Sequence, residues 1–435
     1  MSKILVLATS RKSHGGISSV VMAHERGAQW KDMDCHWVVT HKSGSAVVKM
    51  WYLMRGMVSF LVRVPFCKLV HIHTSEPPSA KRKRMFMRIA KALGKKVIVH
   101  FHAFDTASTI KSSSQEVYRY LFSNADVVLA LSPTWKRAIN EVFDLGEKVQ
   151  VLYNPCPTIA PWALDKKAFG EKAVLTKTEK TAEGLESACA PENSSDGSLR
   201  LCSGQAVSSP QRLGSSVTQS SSESLSALSD NPSAKNKKNN SVVGKKKQIL
   251  SAGVVNARKG YKDLIKGFKI ALERLNSLNC SSGSIGTEWK LVFAGSGEIE
   301  EGKALAKELG IESQVEFLGW VAGEAKDRVF RETSIFCLPS YAEGFPMAVL
   351  DAWAYGLPVV ATPVGGLPDI VKDGEDCLLF NPGDCDQLAV QLERMITDEE
   401  LREKIEAASR NFAEKVFNED VINGQLAEIY KGLMG

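Results

Sequence analysis

The chain has 435 residues, 44% of them hydrophobic and 24% charged, with a formal net charge of +6. That length and apolar share provide for two or three packed domains. Nine cysteines without a C-x-x-C pair argue against a disulfide framework and suit a reducing compartment. The opening MSKILVLATS runs straight into a strand and lacks the apolar core and cleavage site of a secretion signal, so a cytoplasmic location is expected. No apolar run reaches membrane-crossing length; the nearest, Met50 to Phe66, carries Arg55 and Arg63.

Strands are expected at Ile4–Ala8, His36–Thr40, Lys68–His73, Lys96–His102, Asp126–Leu131 and Val149–Tyr153. Helical stretches separate them: Ile17–Gln29, Val47–Val62, the basic segment Lys81–Lys96, Gln115–Ser123 and Pro133–Val142. Such alternation implies an α/β fold with a parallel sheet covered on both faces. In the basic segment Met85, Ile89 and Leu93 fall at helical spacing among cations. A helix of that kind either lies on an anionic membrane surface or packs on the sheet with a solvated basic side. Nucleic acid is not an expected partner, because no recognition motif accompanies the charge.

From Thr158 to Lys247 the chain is rich in Ser, Lys, Asn, Thr and Ala and has no sustained period. It is expected to be a disordered insertion. Alternation resumes with strands at Ile249–Gly253, Trp289–Ala294, Val315–Leu318, Ile335–Leu338, Val359–Ala361 and Leu378–Phe380. The intervening helices are Tyr261–Leu275, Ile299–Leu309 and Glu324–Arg331, with Asn279–Thr287 a loop. Helices Cys385–Ile396, Asp398–Phe412 and Asn418–Met434 close the chain. The expected domains are 1–157, the insertion 158–247, 248–417, and a terminal helix 418–435.

The most informative stretch is PSYAEGFPMAVLDAWAYGLPVVATPVGGLPD, from Pro339 to Asp369. Pro346 near a helix start and Gly356 past its end bound a short helix. Glu343 therefore sits on the loop entering a helix N-terminus, where amides and the dipole favour an anion. Asp351, eight residues on, lies within the helix and can face the same ligand. A phosphate-plus-polyol ligand such as a nucleotide sugar suits that arrangement.

This run resembles the E-x7-E signature of the retaining GT-B glycosyltransferases of group 1, the GT4-like family. One departure is Asp351, where the family usually has Glu. The resemblance implies a GT-B architecture, two Rossmann-like domains with parallel sheets facing a central cleft, and a terminal helix crossing back to the first domain. It implies a UDP- or GDP-sugar donor, a glycan or lipid-linked acceptor, and no further cofactor. Glu343 would hold sugar hydroxyls, with Gly344, Phe345, Pro346 and Met347 near the sugar and phosphate, and Asp351 would accept from the ribose. Gly15 and Gly16, in Ser13–Ser19 after the first strand, look like the family's donor-binding glycine loop, which lies near the donor phosphates and the acceptor; a tight turn is the equal alternative. His102, at a strand end, would approach the transferring sugar, with Asp105 beside it on the acceptor side. Lys259, in Asn256-Ala257-Arg258-Lys259-Gly260, matches the family lysine that stabilises the leaving diphosphate. Val254 stands where the family commonly has Arg, and Arg258 is expected to supply that charge. Gly295 marks a second close-approach turn, and Leu318–Val321 resembles the nucleobase-lining segment, although Trp320 could equally be core.

No metal is expected, for want of an Asp-x-Asp motif. The pairs His71/His73 and His100/His102 suggest one, but strand alternation is expected to part the members of each pair. Two alternatives share the architecture: a nucleotide-sugar epimerase, and a non-catalytic adaptor acting through the insertion. A phosphorylase is disfavoured by the lack of a pyridoxal-phosphate lysine motif.

Overall fold

The computed structural model describes residues 3–13, 15–157, 245–278 and 285–435. The insertion reading, His14 of the glycine loop and most of the Asn279–Thr287 loop lie outside them. The first half runs β1 (Ile4–Thr9), α1 (Gly16–Arg26), α2 (Ala28–Asp32), β2 (Cys35–His41), α3 (Ala46–Arg63), β3 (Leu69–Thr74) and α4 (Pro77–Ala92). It continues β4 (Lys96–Phe101), α5 (Gln115–Asn124), β5 (Val127–Ala130), α6 (Pro133–Phe143) and β6 (Val149–Val151). Its six parallel strands lie in the order β2-β1-β3-β4-β5-β6.

The second half runs β7 (Gln248–Ala252), α7 (Tyr261–Leu278), β8 (Lys290–Ala294), α8 (Ile299–Glu308), β9 (Val315–Gly319), α9 (Glu324–Glu332) and β10 (Ile335–Leu338). It continues α10 (Met347–Ala354), β11 (Val359–Ala361), β12 (Leu378–Leu379), α11 (Cys385–Thr397), α12 (Glu399–Asn411) and α13 (Glu419–Met434). The second sheet is also parallel, in the order β12-β11-β10-β7-β8-β9. Both halves are Rossmann-like, because apolar strands buried on both faces need helical cover on both faces.

Each sheet has a point where the chain reverses its direction of strand addition. In the first it lies between β1 and β3; in the second, between β7 and β10. Loops leaving the carboxyl ends of the strands on either side part there and open a crevice. The loops that follow β7 and β10 contain Lys259 and Glu343, so the topology brings together residues that are far apart in sequence.

The expected single helix Ile17–Gln29 is two helices. Gly27 is extended, and a Cβ there would overlap the side chains of Gln29 and Asn423. Asn423 belongs to α13, which lies on the first half. Its Ile422, Leu426 and Tyr430 join Ile4, Val6, Val21 and Leu69 in one core. Burying each of those side chains contributes about 1.5–3 kcal/mol. Asn423 Oδ1 also bonds His24 Nδ1 at 2.8 Å, and Tyr430 Oη bonds His71 Nδ1 at 2.7 Å. A π-helical turn, Phe412–Val416, separates α12 from α13. It places Phe412 and Phe417 against Trp353.

The basic segment also differs from its expectation. Helix α4 starts earlier, at Pro77, and buries Ala80, Lys83, Phe86, Met87 and Ala90 against the sheet. Met85 and Leu93 face outward instead. The register turns on Lys83, whose buried ammonium donates to Leu7 O (2.9 Å) and Thr40 Oγ1 (2.6 Å). Burial, with Arg82 nearby, holds its pKa well below the ordinary lysine value. A sequence reading that assigns every lysine to solvent selects the opposite face.

Candidate active site

Asn256 opens a short 3-10 turn, Ala257–Lys259, its side chain accepting from Lys259 N at 3.1 Å. Gly260 ends the turn at φ 65° and passes so close to the Pro339 carbonyl that a Cβ would collide with it. Tyr341 N then donates to Arg258 O at 2.8 Å, tying this loop to the one after β10. Arg258 Nη1 donates to Ala342 O at 2.7 Å and lies 3.9 Å from Glu343 Oε2. Lys259 Nζ donates to Glu343 Oε1. The carboxylate is nearly buried and both cations are partly covered. Two cations around one carboxylate leave an excess positive charge in a partly desolvated crevice, which favours a bound anion.

Glu343 enters α10 through Gly344, Phe345 and Pro346, with Pro346 at the N-cap. The first-turn amides of Met347 and Ala348 have no preceding turn to accept them, so they are available to an anion. Loops from the first half meet this helix start. Met347 Cγ lies 3.4 Å from where a Cβ on Gly16 would sit, and Gly344 packs on the Ala103 carbonyl. Phe104 stacks under the Arg258 guanidinium, 4.3 Å from ring centroid to Cζ. Trp135 Nε1 donates to Gly344 O at 3.3 Å. Asp369, at the end of the signature run, accepts from Thr134 N (2.8 Å) and Thr134 Oγ1 (2.7 Å) at the start of α6. The run therefore serves both the crevice and the contact between halves.

Other sequence-selected residues sit at varying distances from this centre. Gly295 lies against the Gly253 carbonyl, and Val255 N donates to Ser296 O at 2.9 Å, lacing the loops after β7 and β8. Val254 is half exposed and brings no charge. Trp320 is 50% exposed, which removes the core alternative for it. Asp351 is ion-paired with Lys326 on α9 at 2.7 Å through Oδ1. Burial raises its pKa and Lys326 opposes the rise. Asp105 accepts from Ser108 N (2.9 Å) and Ala107 N (3.1 Å), so its carboxylate builds its own turn. Burial pushes its pKa up, but those amides outweigh burial and hold it low.

The histidines require a correction. Residues i and i+2 of a strand share a face, so each His-x-His pair is held together, not parted. His71 and His73 stack with ring centroids 4.3 Å apart, and His100 and His102 lie 4.1 Å apart. His73 Nδ1 bonds His102 Nε2 at 2.9 Å. His71, His73 and His100 offer nitrogens within 4.8 Å of one another, and the Nε2 atoms of all three are buried without a hydrogen-bond partner. Among the described residues this group has a spacing that could hold a metal ion, so the geometric argument against one fails. Burial, with His24 beside it, lowers the His102 pKa to about 3, so its imidazole is neutral at physiological pH and can only exchange hydrogen bonds with a ligand.

Glu76 and Lys326 were not selected from sequence. Glu76 follows β3, at the reversal point of the first sheet. Its Oε1 is buried without a partner. Burial raises its pKa, Asp105 adds to the rise, and Arg258 counters it. A lone Glu in SEPPSA carries no motif, and the strand order was the only signal that could have found it.

Two family patterns match the chain: "Glycosyl transferases group 1" over residues 232–412 and "Glycosyltransferase Family 4" over residues 14–158. The chain belongs to the group 1, GT4-like glycosyltransferases. An uncharacterized glycosyltransferase of Methanocaldococcus jannaschii is 31% identical over 186 residues, 42% of this chain and 45% of that protein. An uncharacterized glycosyltransferase of Haemophilus influenzae is 31% identical over 208 residues, 47% of this chain and 53% of that one. The chain thus spans about half the length of these relatives. In three dimensions it is similar to HepE of Anabaena, solved with UDP, with a TM-score of 0.64 and 16% identity. That match covers 99% of this chain and 100% of HepE. The two facing Rossmann-like halves of this GT4-like chain are the GT-B fold.

Proposed function

We propose that this chain transfers a sugar from a UDP- or GDP-sugar to a glycan or lipid-linked acceptor, with retention of configuration. The observation that carries the reading is the Glu343–Lys259–Arg258 group at the reversal point of the second sheet, facing the loops after β1 and β4. The Anabaena neighbour, solved with UDP and with UDP-glucose, supports a nucleotide-sugar donor.

Negative charge develops on the departing diphosphate as the glycosidic bond breaks. Arg258 and Lys259, already held by Ala342 O and Glu343, meet that charge without reorganising. The amides opening α10 add to the same field. Glu343 accepts from sugar hydroxyls with its second oxygen, its first being engaged by Lys259. Asp351 accepts from the ribose through Oδ2, Oδ1 being held by Lys326. Neutral His102 hydrogen-bonds the sugar at the reacting face. Gly15 and Gly16, the latter next to Met347, lie by the donor phosphates, and the acceptor enters from the side of Asp105. No enzyme nucleophile is assigned, and same-face attack by the acceptor hydroxyl accounts for retention. Domains at 1–157 and 248–417, joined by a terminal segment 418–435, follow from this division of labour.

Nucleotide sugars offered with a lipid extract test the reading, with products analysed by mass and by the anomeric proton coupling. The expected result is acceptor-dependent release of nucleoside diphosphate and a product of unchanged anomeric configuration. Conversion of the donor with no acceptor present would make it an epimerase instead.

A further inference from the structure

Helix α3 is apolar on two sides. Inward, Gly56 and Phe60 are buried, and Leu53 and Met57 pack against the first core. Outward, Val47, Met50, Trp51, Met54, Val58, Leu61 and Val62 are 48–78% exposed. Positions 47, 51, 54, 58 and 62 follow the helical period, so they form one stripe along the whole helix. Phe66, just past its end, is also exposed. On α4, joined to α3 by an edge-to-face Phe60–Phe86 contact, Met85 and Leu93 are also exposed. A helix with two apolar faces normally has a partner for each.

The charge around this stripe selects the partner. From Cys35 to Gly94 the chain carries eleven Lys and Arg, of which Lys83 alone is buried, against a single acid, Glu76. The rest is net acidic, forty-four cations against forty-eight anions. Lys49 and Arg55 lie on α3 itself, and Lys42 sits over the Tyr52 ring at 5.6 Å. Two copies of so basic a face would repel each other. No described helix is long and apolar enough to cross a membrane, but a basic rim around aromatic and aliphatic side chains is the pattern of a helix lying in a lipid interface.

We infer that the outward stripe of α3, with the exposed basic face of α4 beside it, docks the protein on an anionic lipid bilayer. The stripe supplies insertion and the cations supply attraction to lipid phosphates. This deepens the acceptor half of the proposed function, since docking would hold the first half beside a lipid-linked acceptor. Its test needs neither donor nor acceptor.

The 435-residue chain is sedimented with vesicles of phosphatidylcholine alone, or with about one-third phosphatidylglycerol. Wild type should bind the anionic vesicles at least about tenfold more tightly. Met54→Glu with Val58→Glu should abolish that binding while leaving the thermal midpoint and UDP or GDP binding intact. Wild type that stays in the supernatant with anionic vesicles would overturn the inference. So would a double variant that still binds them, or one whose only effect is to dissolve a dimer seen by light scattering. Loss of donor binding in the wild type would count against the proposed function and leave the docking result standing.

Discussion

Lys259→Ala is expected to lower kcat/KM for the nucleotide-sugar donor by about 10²–10³-fold, the usual effect of removing one preorganised group from a developing charge. The loss should fall mainly on kcat, because the diphosphate is more negative as it departs than while bonded to the sugar. Glu343 bonds Lys259 directly, so the two substitutions should not be additive. Lys259→Ala combined with Glu343→Ala should cost less than the sum of the single changes. Lys259→Arg should not rescue fully, since a planar fork does not substitute for a compact ammonium beside the tightly packed Gly260 turn. Steady-state kinetics of purified variants, run below each one's unfolding temperature, measure this directly. A Lys259→Ala variant within threefold of wild type would remove Lys259 from the mechanism.

Acid should unfold this protein earlier than carboxylate titration alone would. His24, His71, His73, His100 and His102 are packed together and neutral. Burial lowers His24 to about 4 and His102 to about 3, and holds the other three well below the ordinary value. The unfolded chain takes up protons near pH 6.5. Between that value and the folded pKa the unfolded state binds more protons, so stability is complete above about pH 6.5 and is lost as pH falls. At pH 5.5 each such histidine costs about 1.4 kcal/mol, and the five together remove a large part of a typical total of about 5–15 kcal/mol. Thermal unfolding in chelator-containing buffer should show a midpoint that is flat above pH 7 and drops steeply by pH 5.5. A midpoint unchanged over that range would show that the histidines are not buried in neutral form.

The alternation of strands and helices was readable because each element is short, apolar and bounded by its own turn residues. Ile335–Leu338 and Val359–Ala361 were read with their observed bounds. The Pro339–Asp369 run was readable for a similar reason, since turn, cap and helix lie within one local stretch. Pairings that depend on chain reversal were not readable. Tyr430 reaches His71 across 359 positions, and Lys326 reaches Asp351 from a different helix. The face that α4 presents turned on one buried lysine, Lys83, which composition assigns to solvent. In α3 the periodicity suits an inward apolar face and an outward one equally well, and only the packed structure separates them. The His-x-His pairs differ in kind: at a period of two, residues i and i+2 share a strand face, and the stacked rings of His71 and His73 show it.

The central claim is that the crevice between the loops after β7 and β10 holds a nucleoside diphosphate. Calorimetric titration of the full chain with UDP and with GDP tests it most directly. The expected result is saturable one-to-one binding of at least one of them, weakened about tenfold or more in Lys259→Ala. Failure of both nucleotides to bind the folded wild-type protein would contradict the account.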